Sequence, residues 1–434
     1  MPVFGLVDVN SFFCSCEELL NPKLKGRPGV VLSNNDGMAV ARNKLAKALG
    51  IGLDPFHLNK KRWDELGVYY RSSNYPFYNE MTGRVMAVLE NYAPKIEVYS
   101  CDEAFLDLNG IPNLDAHARE IKQVLLQYCG LPVGVGVART KTLAKIANKL
   151  GKASKKAQGV LVLTDPKWID IALERTDVED VWGVGRRWAE KLRGCRIHTA
   201  KDLRDADEKM ILKRFNVVLT RTVLELRGIS CLPLLSGPPM SKSIRSSLSF
   251  GHLIEDYDEL RQAISAYAAH SAHKMRMEGL ACTSVAVGIE TNPFLRDEPQ
   301  YFNGMKLPLL CPTIDTSEII KIAVLCLEQI YREGYRYKRG DVMVDGLIPA
   351  SEMQWSLLDS HDPLETESLM AVMDVLNARY GPGTLRYGAE GFRKAWKMRQ
   401  NYLSSVTGPG IGSEYQQTKK IVELGTAVQL VRAL

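Results

Sequence analysis

Short apolar runs that end in carboxylates constrain this chain most. Val3 to Val9 is a β-branched apolar stretch that closes on Asp8, which reads as a buried strand emerging at a polar site. Ile96 to Ser100 and Ala104 to Leu108 are two further strand-like runs, and they flank Cys101-Asp102-Glu103, so that pair of acids falls at a hairpin turn. Helical patterns over about Tyr78 to Glu90 and His117 to Tyr128, then a strand over Val133 to Val137, complete the order β, helix, ββ, helix, β. That order predicts an antiparallel or mixed sheet with helices on one face. Asp8, Asp102 and Glu103 then lie at strand ends, where carboxylates can share two divalent ions about 3.5 to 4 Å apart and so drive phosphoryl transfer. Magnesium suits such oxygen ligands. By spacing alone, solvated caps at a strand end and a turn explain these acids as well.

The chain has 434 residues, enough for several domains of roughly 100 to 200 residues each. Hydrophobic residues at 45% and charged residues at 24% describe folded domains rather than a disordered chain. After the first strand, Gly29 to Leu32 reads as a strand, Ser33 to Gly37 as a polar loop and Val40 to Leu49 as a helix closed by Gly50, together a small inserted subdomain. Residues 178–230 look helical and 241–348 mixed, and Arg227 to Ser241, rich in Gly and Pro, separates them. After about residue 349 only weak helical signals remain. No run of about 18 apolar residues occurs and the start carries no basic flank, so a cytoplasmic protein is expected. The nine cysteines and seven histidines form no ligand cluster, which argues against zinc and for reduced thiols.

The net charge of +6 is too small to name a partner, but it is unevenly placed. Residues 139–159 hold seven Lys or Arg and no acid, and Lys141, Lys145, Lys149 and Lys152 recur at helical spacing. Such a stripe is commonly a solvated face, but the absence of acids removes its i, i+4 partners and favours a phosphate-facing role. Trp182-Gly-Val-Gly-Arg-Arg-Trp-Ala-Glu-Lys-Leu192 looks like a helix-hairpin-helix. The glycines Gly183 and Gly185 let backbone N–H groups approach a phosphate, and Arg186, Arg187 and Lys191 add charge without reading sequence. A plain glycine-linked helical hairpin is the alternative. Lys44 and Lys47, three apart, read in isolation as an ordinary polar helix face.

Taken together, DVNSFFCSCE (8–17), VVLSNNDGMAVARNKLAKALGI (30–51), YSCDEAFLDL (99–108) and VGVGVARTKTLAKIANK (133–149) resemble the Y-family of translesion DNA polymerases, in its UmuC-type branch, and the resemblance runs to about residue 350. It implies metal-binding carboxylates at Asp8, Asp102 and Glu103, two Mg²⁺ ions, and the Val9 carbonyl as a further ligand. It also implies a steric gate at Phe13, where relatives often carry Tyr, and triphosphate contacts from Lys47 and Lys152. Lys44 departs from relatives with a Tyr there, and Cys101 replaces an aliphatic residue in what is expected to be a packing position. The implied fold is a right hand: a ferredoxin-like palm over 1–20 and 77–170, small fingers over 21–76, a helix-hairpin-helix thumb over 171–235, an α/β little finger over 241–348, and a tail over 349–434. Gln354, Leu357 and Leu358 in the tail are similar to a sliding-clamp-binding peptide. The implied partners are primer-template DNA, dNTP, the clamp, a processed UmuD-type dimer and a RecA filament, with the protein at the nucleoid when active. The implied activity is error-prone synthesis past lesions in SOS-type repair.

Two other readings compete. A nucleotidyl cyclase shares a palm-like sheet with paired acids but predicts no DNA-binding hairpin. A non-catalytic DNA- and clamp-binding protein that obstructs replication does not need an intact carboxylate set.

Overall fold

The computed structural model describes residues 2–235, 237, 240–295, 297–354 and 363–404. By internal contacts the chain forms two units, one of residues 1–32, 38–238 and 402–434, the other of 33–37 and 239–401.

In the first unit the elements run β1 (Phe4–Val9), α1 (Phe12–Leu20), β2 (Gly29–Leu32), β3 (Ala39–Arg42), α2 (Lys44–Ala48), α3 (Phe56–Glu65), β4 (Tyr69–Ser72) and α4 (Tyr75–Leu89). They continue with β5 (Ile96–Val98), β6 (Glu103–Asp107), α5 (Leu114–Cys129), β7 (Val133–Ala138), α6 (Lys141–Ala153), β8 (Val160–Leu163) and α7 (Pro166–Glu174). Four short helices close the unit: α8 (Arg186–Gly194), α9 (Ala200–Asp205), α10 (Glu208–Arg214) and α11 (Val217–Leu226).

The main sheet has the order β5-β6-β1-β7-β8, antiparallel except for the β7–β8 pair. Its first four strands follow the ferredoxin-like βαββαβ order, as expected, and β8 is added at the edge. β1 is central and buried, which is why its residues are almost all apolar up to Asp8. Val7, Leu106, Val135 and Val137 pack with Ile121 and Leu125 of α5 and Val85 and Leu89 of α4 into one core, while Leu6 and Phe105 join the core beneath α6 and the four closing helices.

The alternation Val133-Gly-Val-Gly-Val137 decides how closely α6 lies on the sheet. A Cβ on Gly136 would sit 2.3 Å from both the Ala144 carbonyl oxygen and the Asn148 backbone nitrogen, so only glycine admits the helix at this distance. A Cβ on Gly134 would lie 2.5 Å from the Lys152 stem, which crosses the strand there.

The inserted segment differs from its sequence reading. Residues expected in one helix from Val40 to Leu49 divide into β3 and the short α2. Asn43 makes the break: its side-chain oxygen accepts from Ala46 N at 3.0 Å as a helix cap and from Gly29 N at 3.1 Å, tying the chain to β2. β3 and β4 flank β2 in a three-stranded sheet around the buried Trp63 and Ile51.

The second unit contains β9 (Ser243–Ile254), α12 (Tyr257–Met277), β10 (Leu280–Thr291), β11 (Phe302–Thr313), α13 (Thr316–Ile330), β12 (Tyr337–Asp345), β13 (Ile348–Pro349) and α14 (Pro363–Tyr380). Its sheet, in the order β11-β10-β12-β9, is antiparallel throughout, and α12 and α13 contribute Leu260, Ile264, Ile319 and Leu327 to one core with Phe250, Val285 and Val342.

What read as a tail is in part folded onto this unit. Asp374 of α14 accepts from both Arg276 Nε at 2.8 Å and Nη2 at 2.9 Å, and hydrogen-bonds His273, while Trp396 is buried against Tyr267. An ion pair rather than an apolar stripe anchors α14, so hydrophobic period could not reveal it.

Candidate active site

Asp8 stands opposite Glu103 on β6 and Gly134 on β7, so two carboxylates share one end of the sheet by register alone. Asp102 is brought alongside when the Val9 N–H donates to its carbonyl at 2.9 Å. The Ser100 hydroxyl donates to Asp102 Oδ1 at 2.7 Å and accepts from the Glu103 N–H at 3.1 Å, which closes the hairpin and aims both acids.

A cleft of about 460 Å³ opens here, lined by Asp8, Val9, Phe13, Lys47, Asp102 and Lys152 among others. Six of the expected site residues thus meet in one place. Glu103 is beside the cleft rather than in its lining: it accepts from Lys145 at 2.8 Å. Lys152 lies over Gly134 and meets Asp8 Oδ1 at 2.5 Å. Burial pushes the Asp8 carboxyl above its ordinary range; the charge and hydrogen bond of Lys152 oppose this, and Glu103 and Asp102 add to it. Among the described residues no three acidic, His or Cys side chains are already gathered as a metal cage. The carboxylates instead hold ammonium or hydroxyl partners.

The lysine stripe does not act as one phosphate-facing surface. Lys141 is 3% exposed, and its ammonium is held by Glu97 and by the Pro233 carbonyl at 2.8 Å, so its expected role on DNA is corrected to a structural one. Lys145 sits 4.5 Å from the Tyr99 ring and 5.2 Å from the Trp182 ring while bonded to Glu103. Lys149 remains on the surface, paired with Asp180. The acids missing from the helix itself come from other elements, which spacing within one helix cannot show.

In the hairpin, Gly183 takes φ 88° and Gly185 caps α8, while Val184, Ala189 and Leu192 are buried. Arg186, Arg187 and Lys191 therefore face outward, with Arg186 paired to Glu190. Cys101 is exposed, contrary to the packing role expected of it. Gln354 is exposed, and Leu357 and Leu358 lie outside the described residues.

Several contributors escaped the sequence reading. Arg42 lines the cleft from β3 and donates to the Ile51 carbonyl. Ser11 takes the left-handed conformation (φ 48°) between Asp8 and Phe13, a strained turn of the kind found at functional sites. Tyr78 stacks under Phe13 at 4.6 Å and 20°. None of these carries a periodic signal; only the cluster Tyr75-Pro-Phe-Tyr78 is visible beforehand.

The fold matches solved structures. A chimera of the Y-family DNA polymerases Dbh and Dpo4 aligns with a TM-score of 0.63 at 24% identity, over 80% of this chain and 99% of that one. A post-insertion binary complex of Dbh DNA polymerase aligns with a TM-score of 0.54 at the same identity and coverage. This likeness establishes the fold as that of Y-family DNA polymerases. Residues 7–149 match the impB/mucB/samB family, residues 241–357 its C-terminal domain, and residues 367–406 a domain of unknown function (DUF4113). UmuC of Salmonella typhimurium is 44% identical over 93% of this chain and 97% of its own length, and SamB of the same species is 41% identical over 93% and 96%. DNA polymerase IV of Pelotomaculum thermopropionicum is 25% identical over 87% and 92%. The chain belongs to the impB/mucB/samB family, the UmuC-type branch of the Y-family DNA polymerases. No helix among the described residues is long and apolar enough to cross a membrane.

Proposed function

We propose that this chain copies damaged DNA templates with low fidelity, using two Mg²⁺ ions held by Asp8, Asp102, Glu103 and the Val9 carbonyl. One observation carries the reading: Asp8, Asp102, Phe13, Lys47 and Lys152 line a single cleft on a Y-family polymerase fold. The donor set suits magnesium, since it consists of hard oxygens, three carboxylates and a backbone carbonyl, and lysines already compensate two of the carboxylates, Asp8 and Glu103. When bound, the ions supply Lewis-acid activation of a 3′-hydroxyl and neutralise the leaving pyrophosphate.

The chain's own residues do the rest. Lys47 and Lys152 bind the triphosphate, and Lys152 is released from Asp8 as a phosphate takes over its charge. The Phe13 ring occupies the space a ribose 2′-hydroxyl needs, so deoxynucleotides are preferred. The basic face of the α8 hairpin, Gly183, Gly185, Arg186, Arg187 and Lys191, holds the duplex by its backbone, with Lys145 and Lys149 nearby. A small three-stranded subdomain over the nascent pair checks it loosely, which admits lesions and errors.

Gln354, Leu357 and Leu358 are assigned to a sliding clamp, and a processed UmuD-type dimer and RecA filament are the expected accessory partners in SOS mutagenesis at the nucleoid. The test is Mg²⁺-dependent primer extension across an abasic site, with and without those partners. Asp102→Ala should abolish synthesis and keep primer-template binding. Extension by that variant at the parent's rate would refute the metal assignment.

A further inference from the structure

Phe13 has no polar group of its own, so packing alone must hold its ring. Tyr78 of α4 supplies that packing, stacked on Phe13 at 4.6 Å and 20°, with Tyr75 edge-on to Phe13 at 6.0 Å and 90°. Tyr78 is itself fixed at its other end: its hydroxyl donates to Glu17 Oε1 at 2.7 Å. Glu17 lies four residues after Phe13 on α1, one helical turn away on the same face. Tyr78 therefore spans one turn of α1, with its ring on Phe13 and its hydroxyl on Glu17. Tyr78 and Glu17 are each 1% exposed.

A third element reaches this clamp from far along the chain. The Ser404 hydroxyl donates to the same Glu17 Oε1 at 3.3 Å and accepts from Asn74 Nδ2 at 3.2 Å. Asn74 is the cap of α4, the helix that carries Tyr78. Tyr402 secures the segment: its ring packs on Phe56 at 5.4 Å and Tyr70 at 4.9 Å, and its backbone exchanges hydrogen bonds with Ser72 at 3.0 and 3.1 Å. Burial pushes the Glu17 carboxyl above its ordinary range, against the hydrogen bonds from Tyr78 and Ser404, and its Oε2 is buried with no hydrogen-bond partner. A buried carboxyl with one unsatisfied oxygen depends strongly on the donors it has.

We infer that Ser404 and Glu17 are positioning residues for sugar selection, acting through Tyr78 on the ring of Phe13. The C-terminal segment thereby becomes part of the specificity apparatus of the cleft. This rests on the reading of Phe13 as the steric gate.

The test is single-nucleotide insertion by the full chain, measured as the ratio of kcat/KM for dNTP over rNTP. Phe13→Ala tests the gate itself and should collapse the ratio. Tyr78→Leu should lower it about fivefold, a stacked pair's worth of discrimination. Tyr78→Phe and Ser404→Ala, which preserve the packing and so keep the fold, should lower it about twofold to threefold, through a rise in rNTP kcat/KM more than a fall for dNTP. Ser404→Thr should retain the parent's ratio. In a Phe13→Ala background Tyr78→Leu should add nothing. If Phe13→Ala shifts the ratio while Tyr78→Phe and Ser404→Ala leave it unchanged, the inference fails and the gate reading stands. The inference also fails if Tyr78→Leu is equally effective without the Phe13 ring. An unchanged ratio in Phe13→Ala removes the gate reading and this inference with it.

Discussion

Replacing Glu225 by Ala tests how the closing helices are joined to the main sheet. This carboxylate, 0% exposed on α11, serves three backbone donors: Oε2 accepts from Thr142 N at 3.1 Å, and Oε1 from Cys231 N at 2.6 Å and Leu232 N at 3.2 Å. Thr142 lies in the first turn of α6, so the charge also meets the positive end of that helix. The Thr142 amide is buried and would be left without a partner at a cost of about 1 to 3 kcal/mol, whereas the half-buried Cys231 and Leu232 can turn to water. Adding about 0.5 to 1 kcal/mol for the lost charge at the helix start, the total is about 3 kcal/mol. Glu225→Gln keeps the volume and one acceptor oxygen and should cost about half as much. Because a chain of two units need not unfold in one step, hydrogen exchange at the Thr142 amide is the direct assay. Its protection should fall about a hundredfold in Glu225→Ala and about tenfold in Glu225→Gln. Undiminished protection in Glu225→Ala would show that the start of α6 is held by something other than this carboxylate.

Three further outcomes follow from the same geometry. Gly136→Ala should destabilise the first unit by about 1 to 3 kcal/mol and slow primer extension, because α6 must retreat and carries Lys145 and Lys152 with it; an unchanged thermal transition would contradict the close approach. Lys152→Ala should raise the KM for dNTP about tenfold with little change in primer-template affinity, and an unchanged KM would remove it from the triphosphate site. In the second unit, burial alone would raise the Asp374 carboxyl, but hydrogen bonds from Arg276 and His273 outweigh it and hold the group well below the usual carboxylate range. A depressed folded value means that its stabilisation is complete above the ordinary carboxylate range and is lost as pH falls towards the folded value. Asp374→Asn should therefore cost about 2 kcal/mol at pH 7 and progressively less below about pH 4, and a penalty that stays constant down to pH 2 would refute the ion pair as its source.

Much of the cleft was legible in the sequence because its logic is local. A strand buried on both faces must be apolar along its length, so the acid at the end of β1 stood out, and the flanking runs placed Asp102 and Glu103 at a turn, although Glu103 is in fact the first residue of β6. The alternating glycines of β7 were likewise in plain view, although their purpose was not. The helix expected over Val40 to Leu49 failed for a local reason with a distant partner: Asn43 could cap α2 only because its oxygen was also needed by Gly29 on β2.

Tertiary structure decided the rest. Four lysines at helical spacing define a stripe, but whether they face a phosphate depends on acids that arrive from β5, β6, β1 and the short 3-10 turn Val178–Asp180 before α8, and only folding brings Glu97, Glu103, Asp8 and Asp180 to them. Tyr78 acquires its place under Phe13, and Ser404 its place beside Glu17, across separations at which the sequence carries no period. Side-chain alternation and helical spacing report which face of one element is apolar. Charge compensation and ring stacking act through space between elements, so the sequence by itself determined where the carboxylates emerge, and the folded chain alone determined what holds them and what holds the Phe13 ring.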